Sequence, residues 1–173
     1  MISRMSPGAR KGAAGLTLVS AALLAFLGAH EGERLTVYRD IVGVPTVCKG
    51  HTGPDVVMGQ TWTLKQCAAV EARDVAATGA AVLECVHVPL NQNQYEAFTS
   101  FAYNVGEHAF CTSTMARLAN AGNIPAACDQ MLRWNMAGGR VVQGLENRRI
   151  DERALCLRPA AHAANDAVFS AAA

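Results

Sequence analysis

Six cysteines constrain this chain more than any other feature. They stand at positions 48, 67, 85, 111, 128 and 156. The number is even, the spacing is wide, and no two lie in a Cys-x-x-Cys pair, so the close spacing by which cysteines grip zinc is missing. Six free thiols in a reducing cytosol compete with three disulfides in an oxidising compartment, and compartment chemistry favours the disulfides. Sequence alone leaves fifteen connectivities open. We expect neighbours to pair: Cys48–Cys67, Cys85–Cys111 and Cys128–Cys156. The first bond would pin a β-rich segment to a long helix. The second would hold the loop before a central helix to the segment after it, and the third would clamp the last two helices.

An oxidised protein must leave the cytoplasm, and the front of the chain offers a route. Residues 1–11 carry Arg4, Arg10 and Lys11 and no acid, and residues 12–29 then run for eighteen positions without a formal charge. A bilayer core needs about 20 apolar residues, so this run is just long enough to span it. The basic flank would stay inside and send the rest outward. Three readings compete: a buried core helix, a cleaved signal peptide and an uncleaved anchor. Cleavage after Ala29 puts Leu27 at minus three, a poor fit, and cleavage after Ala22 leaves Leu23 to Leu27 on the mature protein. Eleven of the eighteen residues are Gly, Ala, Ser or Thr, so an uncleaved anchor would hold weakly. It could leave the bilayer if Leu16, Leu23, Phe26 and Leu27 found burial elsewhere. The chain thus divides into a basic region and membrane segment over residues 1–29 and a folded domain over residues 30–173.

A length of 173 residues suits one such domain. Fifteen Lys and Arg against fourteen Asp and Glu leave a net charge of +1, which gives no reason to invoke nucleic acid. From Leu35 to Trp62, short β-branched runs broken by Gly, Pro and Asp predict small antiparallel strands. Helical spacing then takes over. Thr63 caps a helix reaching Leu83, Asn91 caps one over Gln92–Val105, and Ser113 starts one through Leu118. A helix from Asn123 has proline in its first turn and runs past Trp134. Residues 137–139 form a loop, and a last helix spans about Gly144 to Leu157. The order is that of an α+β fold with a small β lobe and a larger helical lobe.

Chemistry concentrates between residues 30 and 53. Glu31 ends the first helical segment, Asp40 enters the β region nine positions on, and Thr46 follows six later. Cleaving a glycosidic bond takes a proton donor for the leaving oxygen and a second carboxylate on the opposite wall. A hydroxyl such as that of Thr46 can hold the attacking water. A glutamate buried beside an apolar run would have a raised pKa, which suits a general acid. Two acids and a threonine at this spacing are also common on solvated surfaces.

The motifs narrow the choice. Glu31-Gly32, Leu35, Tyr38 and Asp40, followed by Gly43, Thr46, Cys48 and Gly50-His51-Thr52-Gly53, closely resemble the phage lysozyme (endolysin) family. Pro89 to Tyr95 and Ser100 to Gly106 resemble its central helix; Ala127 to Trp134 and Gly144 to Glu152 resemble its closing helices. The weak N-terminal anchor resembles the signal-arrest-release branch. The resemblance covers roughly residues 30–157. It implies a phage-lysozyme fold and a muramidase of the inverting kind that hydrolyses peptidoglycan and lyses the host cell. It also implies a monomer held at the inner membrane through residues 12–29 and then released into the periplasm, with no cofactor and no metal. Glu31 matches the catalytic acid, Asp40 the second carboxylate and Thr46 the water-positioning hydroxyl. Arg148 matches an arginine that pairs with the catalytic glutamate. Asn104 matches a polar residue on the cleft floor, although Gly106 close behind also suits a helix C-cap.

His51 has no second ligand at metal spacing, and the resemblance makes Asp74 its carboxylate partner in a structural pair. His30 is either a modulator of Glu31 or an interfacial residue. Trp62 and Trp134 read as core, and Glu33 as solvated. Two other activities stay open: a lytic transglycosylase, which needs a glutamate but not the Asp40–Thr46 arrangement, and an inactive wall-binding protein on the same fold.

Overall fold

Several helix starts in this chain are set by short oxygen-bearing side chains. Thr63 accepts a bond from the Gln66 N–H while the Gln66 side chain reaches back to the Thr63 N–H, and Asn91 and Gln94 repeat the arrangement. Such reciprocal caps satisfy amides that the first helical turn leaves unpaired. They open α2 (Leu64–Cys85) and α3 (Gln92–Val105) in the computed structural model, which describes residues 16–30, 34–40 and 42–160. Before them come α1 (Ala21–His30) and an antiparallel pair, β1 (Arg34–Arg39) and β2 (Pro45–Cys48). After them come α4 (Glu107–Cys111), α5 (Thr114–Asn120), α6 (Ile124–Asp129), a 3-10 turn (Gln130–Arg133), the hairpin β3 (Met136–Ala137) and β4 (Arg140–Val141), and α7 (Gln143–Cys156). Small antiparallel sheets beside a larger helical part make the fold α+β, as expected.

Helix α3 is the axis of the large lobe. Residues Tyr95 to Ala102 are all buried, so it is covered on every side, as a central helix must be. Its own Phe98 and Phe101 pack with Phe110, Met115 and Met131 from the elements around it, each fully buried. The small lobe has a much thinner core of Val37, Val47, Cys48, Val56 and Cys67.

The three disulfides are Cys48–Cys67, Cys85–Cys111 and Cys128–Cys156, so each cysteine bonds its sequence neighbour. They join β2 to α2, the end of α2 to α4, and α6 to α7.

Three local expectations are corrected. The helix from Asn123 does not run past Trp134. It tightens into the 3-10 turn after Asp129, and Trp134 leaves the helix with its ring edge-on to Phe101 at 5.4 Å. Trp134 is 38% exposed, so it caps the core rather than lying within it. The loop at 137–139 contains the two-residue turn of a hairpin, because Gly138 and Gly139 both take positive φ (56° and 76°). That conformation suits the right-handed twist of paired strands and is strained for other residues. Helix α4 was not anticipated; five residues are too few for a periodic pattern.

The described part of the N-terminal apolar run lies on the large lobe. Leu23 and Leu27 are fully buried against Val75, and Leu16 and Phe26 pack on the main core. Among the described residues no helix is long and apolar enough to cross a membrane. Polar contacts fix the approach to α1. The Gln92 side-chain amide exchanges two 2.8 Å bonds with the backbone of Thr17, and the buried Tyr95 hydroxyl donates to Leu18 O. Ser20 Oγ donates to Glu96 and accepts the Leu23 N–H, capping α1.

Candidate active site

One face of α2 carries the junction between the lobes. Cys67, Glu71, Asp74 and Thr78 follow each other at spacings of four, three and four, which stacks them along one side of a helix. The end of β2 and its turn meet them in order. Cys48 is bonded to Cys67, Lys49 Nζ lies 2.9 Å from both oxygens of Glu71, and His51 Nδ1 lies 2.7 Å from Asp74 Oδ2. Lys49 and Glu71 are largely buried, and His51 is 6% exposed with Asp55 on its other nitrogen at 3.3 Å. The turn is tight: Val47 and His51 exchange both backbone bonds, with Cys48 and Gly50 at φ 58° and 95°. The His51–Asp74 pair is therefore present. The Lys49–Glu71 pair was missed, although the polar positions in step with Cys67 on α2 mark that face.

The lobes enclose a cleft of about 840 Å³. His30 stands on its α1 side, Lys49 and Thr52 on the small-lobe side, and Asp74 and Thr78 on α2. Asn104 and Glu107 line it near the end of α3, and Arg148 lines it from α7. Glu31, the residue after His30, lies outside the described residues. His30 is held by Asp151 on α7, 3.4 Å away, and by ring contact with Phe26 at 5.0 Å.

Asp40 and Thr46 sit together on the β1–β2 hairpin and do not line this cavity. Asp40 Oδ1 accepts the N–H groups of Val42 and Val44, at 2.9 and 2.8 Å, which fixes the direction of the carboxylate. Thr46 faces Tyr38 across the pair, is 3% exposed, and donates its hydroxyl to Val44 O at 3.0 Å.

Beneath the cleft lies a buried ionic cluster. Glu152 is fully buried, accepts from Arg148 Nε (3.0 Å) and Ser100 Oγ (2.7 Å), and pairs with Arg149 Nε at 3.2 Å. Arg148 also donates to Ser100 O. Arg149 is wholly buried over the Phe101 ring, 4.7 Å from its centre, and donates to Asn104 Oδ1. Desolvation lowers the Arg149 pKa to about 10; Glu152 opposes the shift and Arg148 adds to it. The C-cap of α3 is Gly106, at φ 92°, so Asn104 is free of that duty. Glu152 and Arg149 were not singled out in the sequence, because charges so deeply buried are the exception.

Comparison with known proteins settles the family. The family model for phage lysozyme matches residues 28–152, most of the chain. The chain belongs to the phage lysozyme family. A SAR-endolysin of Enterobacteria phage P21 is 43% identical over 127 residues, covering 73% of this chain and 77% of its own. With others like it, this puts the phage lysozyme described here in the SAR-endolysin branch. Among solved structures, a point variant of P22 lysozyme superposes with a TM-score of 0.73 at 39% identity, over 82% of this chain and 99% of the other. The muramidase domain of SpmX from Asticaccaulis excentricus gives 0.76 at 31% identity, over 82% and 98%. Membership carries the family's general activity, lytic degradation of peptidoglycan by a hydrolase.

Proposed function

We propose that the enzyme is a muramidase acting as a monomer. It hydrolyses the β-1,4 bond between N-acetylmuramic acid and N-acetylglucosamine, with Glu31 as general acid. The observation that carries this reading is the position of His30, which ends α1 and lines a cleft whose other walls bring in Arg148 and Asn104. Glu31 is the next residue in the sequence. The likeness to a protein described as a muramidase domain supports the bond assignment.

Each side chain then has a definite task. Glu31 protonates the leaving oxygen, and Arg148 holds the Glu31 carboxyl toward the cleft. Asp40, oriented by the two amides of its own hairpin, stabilises the positive charge that develops on the sugar and takes the proton of the attacking water. Thr46 has given its only proton to Val44 O, so its oxygen offers lone pairs to a water. A positioned water implies inversion at the anomeric carbon, with the Glu31 and Asp40 carboxyls ~6.5–9.5 Å apart. Replacing Glu31 with Gln removes the proton and should lower turnover by roughly 10²–10⁴-fold without unfolding the protein. Asp40→Asn should also be severely impaired. Near-normal lysis by the Glu31→Gln protein would refute the assignment.

The segment over residues 12–29 regulates this site. While it lies in the bilayer, Glu31 is held at the membrane surface, one residue beyond the segment, and cannot face Asp40. Release, on collapse of the membrane potential, lets the segment dock as α1 and delivers Glu31. Burial of Leu23 and Leu27 on the domain, with Gln92 and Tyr95 holding the backbone before α1, supports a docked state able to compete with the bilayer. Gly12→Leu with Gly15→Leu should keep the enzyme in the membrane fraction and delay lysis. Gly28 is best left unchanged, because a side chain there would meet Lys49 Nζ 3.4 Å from its Cβ. Release on the normal schedule, or a mature protein beginning after Ala22 or Ala29, would contradict the mechanism.

A further inference from the structure

A fully buried cation must have a reason to be there, since an apolar residue of similar volume often serves stability as well or better. Arg149 has no exposed surface, and its charge is met by Glu152 and the face of Phe101. Its one hydrogen bond among the described residues goes to Asn104 Oδ1, on an exposed residue that lines the cleft. A guanidinium has donors only, so it can hold just the oxygen of an amide. The amide nitrogen of Asn104 is thereby turned the other way, and it has no hydrogen-bond partner among the described residues.

We propose that Arg149 is a positioning residue that locks the Asn104 amide, so that Asn104 presents its Nδ2 donors to an acceptor oxygen of the bound glycan. Without the clamp the amide could rotate and offer oxygen or nitrogen alike. With it, the floor of the cleft presents a donor for as long as the buried guanidinium is protonated. Acetamido carbonyls and ring hydroxyls are the acceptors that a peptidoglycan strand brings. The assignment rests on the muramidase reading and deepens it.

The test uses the released full-length protein and purified peptidoglycan strands, with KM and kcat measured separately. In Asn104→Asp the Arg149 side still finds an oxygen to hold, so the fold is kept, but the cleft side becomes an acceptor. KM should rise roughly tenfold with little change in kcat, the signature of lost uniform binding. Arg149→Met should raise KM about as much as Asn104→Ala, and the double variant should be no worse than either single one. An unchanged KM in Asn104→Asp overturns the proposal. So does an Arg149→Met effect that adds in full to that of Asn104→Ala, which would make Arg149 merely structural. If Arg149→Met does not fold, the Asn104→Asp measurement decides alone. A wild-type protein that fails to cut glycan at all would instead sink the muramidase reading.

Discussion

The two lobes are held together in different ways. The large lobe is organised by bulk: Tyr95, Phe98, Phe101 and Phe110 are completely buried around α3, and a wholly buried carboxylate ties α3 to α7. The small lobe has too few apolar side chains to stand alone, and it is fastened to α2 by a disulfide and two charged pairs in sequence order. The residues proposed for the second carboxylate and the water sit on the thin lobe, while the binding and orienting groups sit on the massive one.

The largest effect should come from the buried charge of the large lobe. Glu152→Gln removes the buried carboxylate that Arg148 and Arg149 share and should destabilise the whole protein by about 3–5 kcal/mol. Denaturant titration should show one cooperative transition moved to lower concentration. A loss confined to the small lobe would break the comparison.

Removing the covalent fastening comes next. The Cys48–Cys67 bond closes a loop of 19 residues, for which chain entropy gives roughly 3 kcal/mol. In the double alanine variant, hydrogen exchange should rise across residues 34–62 while α3 keeps its protection. Equal loss of protection in α3 would mean that the lobes unfold as one body.

A smaller change is expected at the second fastening. Asp74→Ala leaves His51 with only Asp55 at 3.3 Å and should cost about 1–3 kcal/mol, again expressed mainly in the small lobe. The smallest effect belongs to Asp55 itself. A bond from its own backbone N–H holds its pKa below the ordinary value; desolvation opposes the shift, and His51 and Arg73 add to it. A carboxylate whose folded pKa is depressed adds stability above its unfolded pKa and loses it as pH falls through the folded value. Asp55→Asn should therefore melt slightly below wild type at neutral pH and match it in strong acid. A gap that widens on acidification would contradict this.

How much of this was legible in the sequence followed the range of the interactions. Thr63, Asn91, Ser113 and Asn123 each bond an amide three residues on, and the helices they start begin where local pattern places them, although the one from Asn123 ends earlier than expected. The α+β order was equally plain. Lys49 and Glu71 are 22 residues apart, and Arg149 and Asn104 are 45 apart. No local rule pairs them, and their burial is visible only once α2, α3 and α7 are packed. His51 and Asp74 were found through likeness to a family rather than through spacing. For Glu31, Asp40 and Thr46, the motif named candidates that chemistry in solution must test.

The most direct test of the central claim is the chemical nature of the ends that the enzyme leaves. Purified peptidoglycan should be digested with the released enzyme and the fragments weighed by mass spectrometry. Hydrolysis adds one water per cut and yields reducing muramic acid ends, which is the predicted result, and Glu31→Gln protein should yield none. Anhydromuramic ends, formed without water, would mean transglycosylation and would contradict the roles given to Asp40 and Thr46.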